Sequence, residues 1–207
     1  MPVQMRVLVV VLLAALAAAA PGLAGERGSH LYHISGGISV SLPSSWKSVD
    51  AQHVLDSAVL QKLEQENPEL GGLIAAATSP GSPVKFFAFD PVVRQRFATN
   101  VNVVVAAIPT KVTFELFAAA LAAEIRSLHA VSQMRTQRLT LPAGPALRLT
   151  YRIRLTAGGR SFETSTLQYA FLRDGTQSVV FTYTTLPQLK SRYAATFDAS
   201  ASSIRFG

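Results

Sequence analysis

The chain has 207 residues, a formal net charge of +7 and no cysteine. Without cysteine it can form no disulfide and has no thiol nucleophile, and it lacks the residue that carries the lipid of a lipoprotein. Its stability must come from a packed hydrophobic core, for which the chain is long enough.

The N-terminal residues have the pattern of a secretory signal peptide. A cationic start ending in Arg6 precedes an uninterrupted apolar run over residues 7–20, and small residues follow. The run is shorter than the roughly 20 residues that a spanning helix needs, so we predict cleavage after Ala24 rather than a retained anchor. We expect residues 1–24 to be the signal peptide, 25–207 to be one domain without a transmembrane segment, and the protein to be secreted or periplasmic.

The first part of the domain is predicted to combine short strands with two helices. Residues 31–34 and 38–42 are predicted strands separated by a Gly-Gly turn, and Trp46 follows in a loop, where it covers one end of the core. Apolar residues recur at helical spacing over residues 52–66. A second helix is predicted over residues 68–77, because a proline at its first position follows an asparagine cap.

Two strands and the clearest helix of the chain come next. Residues 85–90 and 100–108 are predicted strands, and the second is apolar enough to be covered on both faces. Phe86 and Phe87 point to opposite sides of the first strand, which also indicates a layer on each face of the sheet. A helix beginning near Thr113 carries one apolar stripe. The stripe consists of Phe114, Phe117, Leu121, Ile125 and Leu128.

The rest of the chain is predicted to be a strand meander followed by a helix. The predicted strands are residues 134–141, 146–155, 161–172 and 178–184. Gly-Gly and Asp-Gly dipeptides between them suit tight hairpins. A final helix after Pro187 is predicted to place Leu189, Tyr193 and Phe197 on one side. Hairpins and separated helices predict an α+β fold with a largely antiparallel sheet rather than a doubly wound parallel one.

The order of these elements resembles the PsbP/Mog1 group, which includes LpqN-type and DcrB-like envelope proteins. Four short segments carry the resemblance: residues 38–43 followed by Trp46, residues 100–103, the meander ending near Thr182, and residues 203–206. The resemblance implies an α/β/α sandwich with a central, largely antiparallel sheet, and roles in binding or assembly rather than a shared reaction. The chain departs from the LpqN type because it has no lipidation cysteine.

Positive charge is concentrated in the meander, where residues 135–173 contain seven arginines and one acid, Glu163. Three of the arginines project from one side of a predicted strand, and a fourth lies on its hairpin partner. The candidate partner-binding residues are therefore Arg135, Arg148, Arg152 and Arg154. Such a surface would attract an anionic protein or polymer of the envelope. The alternative is that these arginines cover neighbouring side chains and pair across strands with acids such as Glu163.

No motif for catalysis, metal binding or cofactor binding is present. The sequence has no Gly-x-Ser-x-Gly elbow, no His-Glu-x-x-His and no phosphate-binding glycine loop. His30 and His33 are three residues apart in a strand-like segment, a spacing that does not align them on one face. We therefore expect no catalytic residues, no metal and no cofactor. Nucleic acid is not an expected partner, because the protein is exported and no stacking aromatics alternate with the arginines.

These observations favour a non-enzymatic, exported binding or accessory protein of the envelope or extracellular space. A carrier of a small or lipidic ligand, held in a cavity between sheet and helix, is the first alternative. A hydrolase whose site assembles from distant residues is the second. An enclosed apolar pocket would favour the carrier, and a Ser–His–Asp contact would favour the hydrolase.

Overall fold

A computed structural model describes four parts of the chain, residues 28–50, 82–95, 97–157 and 160–207. The predicted signal peptide and the two predicted helices over residues 52–66 and 68–77 lie outside the described residues. The strands are β1 Ser29–Ile34, β2 Ile38–Pro43, β3 Lys47–Asp50, β4 Val84–Phe89, β5 Asn100–Ala107, β6 Val131–Leu141, β7 Gly144–Ala157, β8 Arg160–Arg173, β9 Gln177–Thr185 and β10 Arg205–Phe206. The helices are α1 Phe114–Ser127 and α2 Lys190–Ser203, and α2 is preceded by a 3-10 turn, Pro187–Leu189.

The described strands form two antiparallel sheets. The large sheet has seven strands in the order β3-β4-β5-β9-β8-β7-β6, and the small sheet has three in the order β1-β2-β10. The prediction of an α+β fold built on a largely antiparallel sheet is confirmed. Neither the strand β3, which follows directly after the buried Trp46, nor the separation of β1, β2 and β10 into a sheet of their own was predicted.

The large sheet has a hydrophobic core on each of its faces. The small sheet and α2 pack on one side, which we call the α2 face, and this core includes Phe86, Tyr193 and Phe197. Helix α1 packs on the other side, the α1 face, where Phe117 and Leu121 meet the apolar side chains of β7. The molecule is therefore layered on both sides of its sheet, as a sandwich requires.

Helix α1 begins where its sequence predicts, and its last turn differs from the predicted apolar stripe. The Thr113 side chain caps it by accepting a hydrogen bond from the Leu116 N–H at 3.3 Å. Phe117 and Leu121 are at most 1 % exposed. Leu128 is not a member of the helical stripe, because it is the C-cap residue in extended backbone, and its N–H bonds the Ile125 carbonyl.

Glycine permits two of the chain reversals. Asp174 and Gly175 both have positive φ values, 51° and 74°, in the hairpin between β8 and β9. Gly37 (φ 70°) packs so closely against Gly207 that a Cβ on it would lie 2.8 Å from the Gly207 carbonyl oxygen. This close approach brings β10 alongside β2.

Within the described part of the chain, no helix combines the length and the apolar character that crossing a membrane demands.

Candidate functional site

The four candidate arginines occupy neighbouring positions on the α2 face. Arg148 is paired in register with Tyr169 of β8, and Arg152 is paired with Ser165. Arg135 of β6 is paired with Thr150, which lies between these two arginines on β7. Because directly opposed residues of two strands point to the same face, Arg135 joins the arginines of β7.

A β-bulge in β6 places Arg135 on this face. Ser132 is paired with Arg152 and Arg135 with Thr150, so β6 advances three residues while β7 advances two. Gln133, inside the bulge, has a positive φ of 52°. Since side chains alternate between faces along a strand, the extra residue reverses the alternation. Without the bulge, the side chain of Arg135 would point to the α1 face.

Arg148 is tied to helix α2. Its Nη2 lies 3.2 Å from Oδ1 of Asp198, and its guanidinium stacks over the Tyr169 ring at 5.8 Å. The Tyr169 hydroxyl donates to the same carboxylate oxygen at 2.8 Å. Burial, together with this hydrogen bond, raises the pKa of Tyr169, so the phenol remains protonated and continues to donate. Arg148 therefore helps to hold α2 on the sheet.

Arg152 forms the cross-strand ion pair with Glu163 that was the alternative expectation for these arginines. Its Nη1 lies 2.9 Å from Oε2 of Glu163, and the two side chains are 40 % and 33 % exposed. A partly exposed pair of this kind contributes at most about 1 kcal/mol, so it can be rearranged at little cost. Arg135 and Arg154 are exposed and have no ion-pair partner among the described residues.

A groove of about 420 Å³ crosses this part of the α2 face. It lies between the bulge of β6 and the start of α2, and Thr150 and Ser165 contribute to its lining. Its charged lining residues are Arg135, Arg152 and Lys190. No described Asp or Glu lines it, although Glu163 reaches Arg152 from outside the lining. The groove therefore offers an excess of positive charge to a ligand.

Strand β6 borders this groove and ends the large sheet, since it is the last strand in the described order. Most of its side chains are exposed, including the whole of residues 135–138. An edge strand presents unpaired backbone N–H and C=O groups, and arginines and a bulge are common protections against unspecific pairing. Arg135 and Arg138 point to opposite faces of this edge, so a positive charge on each face opposes unspecific pairing with another strand.

The histidines that the sequence analysis considered as metal ligands are not brought together in a metal or catalytic site. His30 and His33 are exposed on β1, and the ring of His30 packs edge-on against Tyr32 at 4.6 Å. No group of three or more His, Asp or Glu side chains is close enough to hold a metal ion in the described part of the chain. The same residues contain no hydrogen bond from His30, His33 or His129 to a serine or an aspartate.

No family model matches the sequence, and no curated protein matches it. Solved structures do match. PsbP (CyanoP) of the cyanobacterium Synechocystis sp. PCC 6803 is 17 % identical, covering 91 % of this chain and 98 % of its own, with a TM-score of 0.56. LpqN of Mycobacterium tuberculosis, described as involved in cell envelope biogenesis, is 9 % identical over 86 % of this chain and 90 % of its own, with a TM-score of 0.53.

A third similar structure is PA94 of Pseudomonas aeruginosa, a protein of unknown function. It is 11 % identical, covers 84 % of this chain and 94 % of its own, and has a TM-score of 0.50. At such low identities the likeness concerns the fold. The chain thus has the PsbP/Mog1-like fold that the sequence resemblance predicted, and the function must be argued from its own surface.

Proposed function

We propose that this protein is an exported, non-enzymatic binding module whose arginine groove and adjoining β6 edge hold an extended acidic segment of a partner protein. The observation that carries the proposal is the groove of about 420 Å³ lined by Arg135, Arg152 and Lys190. Clefts of roughly 300–1,000 Å³ accommodate small ligands or a few residues of a chain.

The charges of the groove suit carboxylates. Arginine binds them through two parallel N–H donors. Arg135 and Arg154 have no acidic partner in the described part of the chain, and the partly exposed Arg152 can exchange Glu163 for an incoming acid at small cost. Arg152 and Arg154 are alternate residues of β7 and lie about 7 Å apart, within the screening length of about 8 Å at physiological salt, so their fields add.

The position of the groove favours a protein segment over an anionic polymer as the partner. Strand β6 ends the described sheet directly beside the groove. An extended peptide can therefore bond its backbone to β6 while its acidic side chains reach the arginines, a mode known as β-strand addition. A polyanion without peptide groups would use the charges alone.

Export rests on the predicted signal peptide, and the fold shared with LpqN, described as involved in cell envelope biogenesis, is compatible with an envelope role. In that setting a soluble binding module would meet acidic segments of other envelope proteins. The arginines that share the α2 face, Arg135, Arg152 and Arg154, would steer such partners to that side of the molecule.

The test is the binding of a fluorescent peptide of alternating glutamate and valine, followed by anisotropy. The double variant Arg135→Gln/Arg154→Gln is expected to bind about tenfold more weakly, since it removes two unpaired cations and no ion pair. The control Lys111→Gln/Arg126→Gln removes the same charge at exposed residues elsewhere and is expected to bind as the wild type does. Wild-type binding should weaken in about 1 M salt, where the screening length falls to about 3 Å.

A second peptide, N-methylated at alternate backbone nitrogens, separates strand addition from charge attraction. We expect it to bind at least tenfold more weakly than the unmodified peptide. Equal binding of both peptides and of polyphosphate would contradict the acidic-segment assignment. Unchanged binding by Arg135→Gln/Arg154→Gln, with a thermal melt showing that the variant is folded, would contradict the groove itself.

A further inference from the structure

A second groove lies on the other side of strand β6. It has a volume of about 230 Å³ and lies between α1 and β6 on the α1 face. We call it the alanine groove. Its lining consists of Ala118, Ala119 and Ala122 of α1, residues 136–138 of β6, and Leu147 of β7. Since the arginine groove lies on the α2 face of the same strand, β6 is bordered by a groove on each of its faces.

The pairing of β6 with β7 defines which side chains of β6 face the alanine groove. Thr136 is paired with Leu149, and Arg138 with Leu147; both leucines belong to the core on the α1 face. Because directly opposed residues point to the same face, Thr136 and Arg138 also point to the α1 face. Arg138 is exposed and has no ion-pair partner among the described residues. Its guanidinium is therefore available to a ligand in the alanine groove.

The alanine groove combines an apolar base with a cationic rim. Leu147 and Ala118 are at most 3 % exposed, whereas Ala119, Thr136 and Arg138 are exposed. The lining contains no described Asp or Glu. The methyl side chains of the alanines leave space that larger helical residues would fill. The volume is below the roughly 300 Å³ at which clefts for whole small molecules begin, so the groove suits one large side chain.

Two other arginines of the molecule show how Arg138 can hold such a side chain. Arg148 stacks over the Tyr169 ring at 5.8 Å, and the two residues are directly paired on β7 and β8. Arg173 lies over the Phe206 ring at 5.0 Å. A guanidinium is attracted to the face of an aromatic ring, and an aliphatic side chain offers no such contact. An aromatic residue opposite Arg138 on an added strand would repeat the Arg148–Tyr169 arrangement.

Strand addition at β6 would connect the two grooves. The strand pairs of the described large sheet are antiparallel. In an added antiparallel strand, the residue opposite Arg138 would precede the residue opposite Arg135 by three positions. Residues an odd number of positions apart point to opposite faces of a strand. The later residue would thus point to the arginine groove, and the earlier one to the alanine groove.

We propose that the alanine groove is a specificity pocket for an aromatic side chain of the partner segment. The proposal rests on the proposed function, because the segment reaches this pocket only by adding to β6. It assigns a pattern to the segment: an aromatic residue is followed three positions later by an acidic one. A second copy of this chain is not the expected occupant, because β6 carries two arginines and no acid and two such edges would repel each other.

The test compares three fluorescent peptides by the anisotropy of their binding to the intact protein. The first is the alternating glutamate–valine peptide. In the second, phenylalanine replaces a central valine, which places the ring on the face opposite the carboxylates. The third exchanges this phenylalanine with the neighbouring glutamate, so that composition and charge stay the same but the ring lies on the carboxylate face. The second peptide is expected to bind about fivefold more tightly than the other two, because its ring is buried and stacked.

Two variants assign the ring to the alanine groove. Ala119→Leu fills the groove and should reduce the gain from phenylalanine to less than about twofold, because the ring would clash with the new side chain, while the glutamate–valine peptide binds as it does to the wild type. Arg138→Lys keeps the charge but stacks less well on a ring, so it should also reduce the gain. Ala123→Leu is the matched control, since Ala123 is an exposed alanine of α1 that does not line the groove. It should keep the whole gain, and all three variants should melt as the wild type does.

The outcomes separate this proposal from the proposed function. If the wild type binds the glutamate–valine peptide but gains nothing from phenylalanine, the aromatic pocket is overturned and the acidic-segment proposal stands. A full gain in folded Ala119→Leu would also overturn the pocket, because the ring would then bind elsewhere. If none of the three peptides binds, both proposals are overturned.

Discussion

At the scale of single residues, buried tyrosine hydroxyls hold α2 on the large sheet. Tyr183 of β9 shares a hydrogen bond of 2.9 Å with Ser200 of α2, and both side chains are at most 3 % exposed. Tyr193 of α2 donates to Asp90 at 2.6 Å, just beyond β4. Burial raises the pKa of Tyr183, so its phenol remains neutral. The helix is thus positioned by specific polar contacts as well as by the apolar ring of Phe197.

Removing the Tyr183 hydroxyl is expected to destabilise the protein. Tyr183→Phe keeps the ring but leaves the Ser200 hydroxyl buried without its partner, which should lower the free energy of unfolding by about 1–3 kcal/mol. The double variant Tyr183→Phe/Ser200→Ala removes both groups and should cost less than the sum of the two single variants. Urea unfolding, followed by Trp46 fluorescence, measures all three. Strict additivity would show that the two hydroxyls are not coupled.

Residue-scale features were predictable from the sequence only where a local pattern defines them. The arginines of β7 alternate with apolar residues, so their common face could be predicted. The partner of Arg148 could not, because Asp198 lies on α2, 50 residues further along the chain. The buried polar residues of β5 and β9 were also missed: Asn100 and Asn102 alternate with valines in a run that was interpreted as largely apolar, and no local pattern shows that Thr182 and Thr184 lie beside them.

At the scale of secondary structure elements, α1 is the most clearly amphipathic segment of the described chain. Leu121 is 1 % exposed and lies against β7, while Leu116 on the outer face is 59 % exposed. The two leucines therefore provide a matched comparison within one helix. They differ in burial and share their chemistry and their helix.

Truncating these leucines should separate core from surface. Leu121→Ala is expected to lower the free energy of unfolding by about 2–5 kcal/mol, because the lost methyl groups leave a cavity against the sheet. Leu116→Ala should change it by less than about 0.5 kcal/mol. Chemical denaturation of both variants gives the values. Similar losses for the two would show that α1 does not pack through its Leu121 stripe.

Whether a strand or its pairing could be predicted depended on how far along the chain its partner strand lies. The meander strands and their hairpins were predicted because alternation and turn residues are local signals. The bulge in β6 was not, since it appears only as a register shift against β7. Likewise, residues 38–42 were predicted to be a strand of one central sheet, and no strand was predicted at residues 205–206. The small sheet that contains β2 and β10 depends on packing between segments far apart in the chain.

At the scale of the whole molecule, the arginine groove and a buried polar region lie on opposite faces of one sheet. Ser165 lines the groove on the α2 face, and its neighbour Thr166 is a buried residue of the α1 face that is paired with Thr184. Because alternate residues of a strand point to opposite faces, the middle of the sheet carries positive charge on one face and neutral polar side chains on the other.

The proposed export leads to a prediction about the whole chain. Protein recovered from the secreted or periplasmic fraction of its host should have an intact mass that corresponds to loss of residues 1–24, since a leader of this pattern is removed by signal peptidase. Intact-mass spectrometry of that fraction and of the membrane pellet measures this directly. Full-length chain in the membrane pellet would instead indicate a retained anchor.

The pairing of β10 with β2 has a consequence for the order in which the protein can fold. Ser203 bonds to Ser41 across 162 residues of sequence, and Arg205 and Phe206 are paired with Ser39 and Ile38. A chain threaded through an export channel with its N-terminus first would deliver β1 and β2 early and β10 last. Contacts of such long range form slowly. The small sheet would therefore form only after almost all of the polypeptide had passed through the channel. The chain would remain unfolded enough to pass, and β10 would pair with β2 only after translocation.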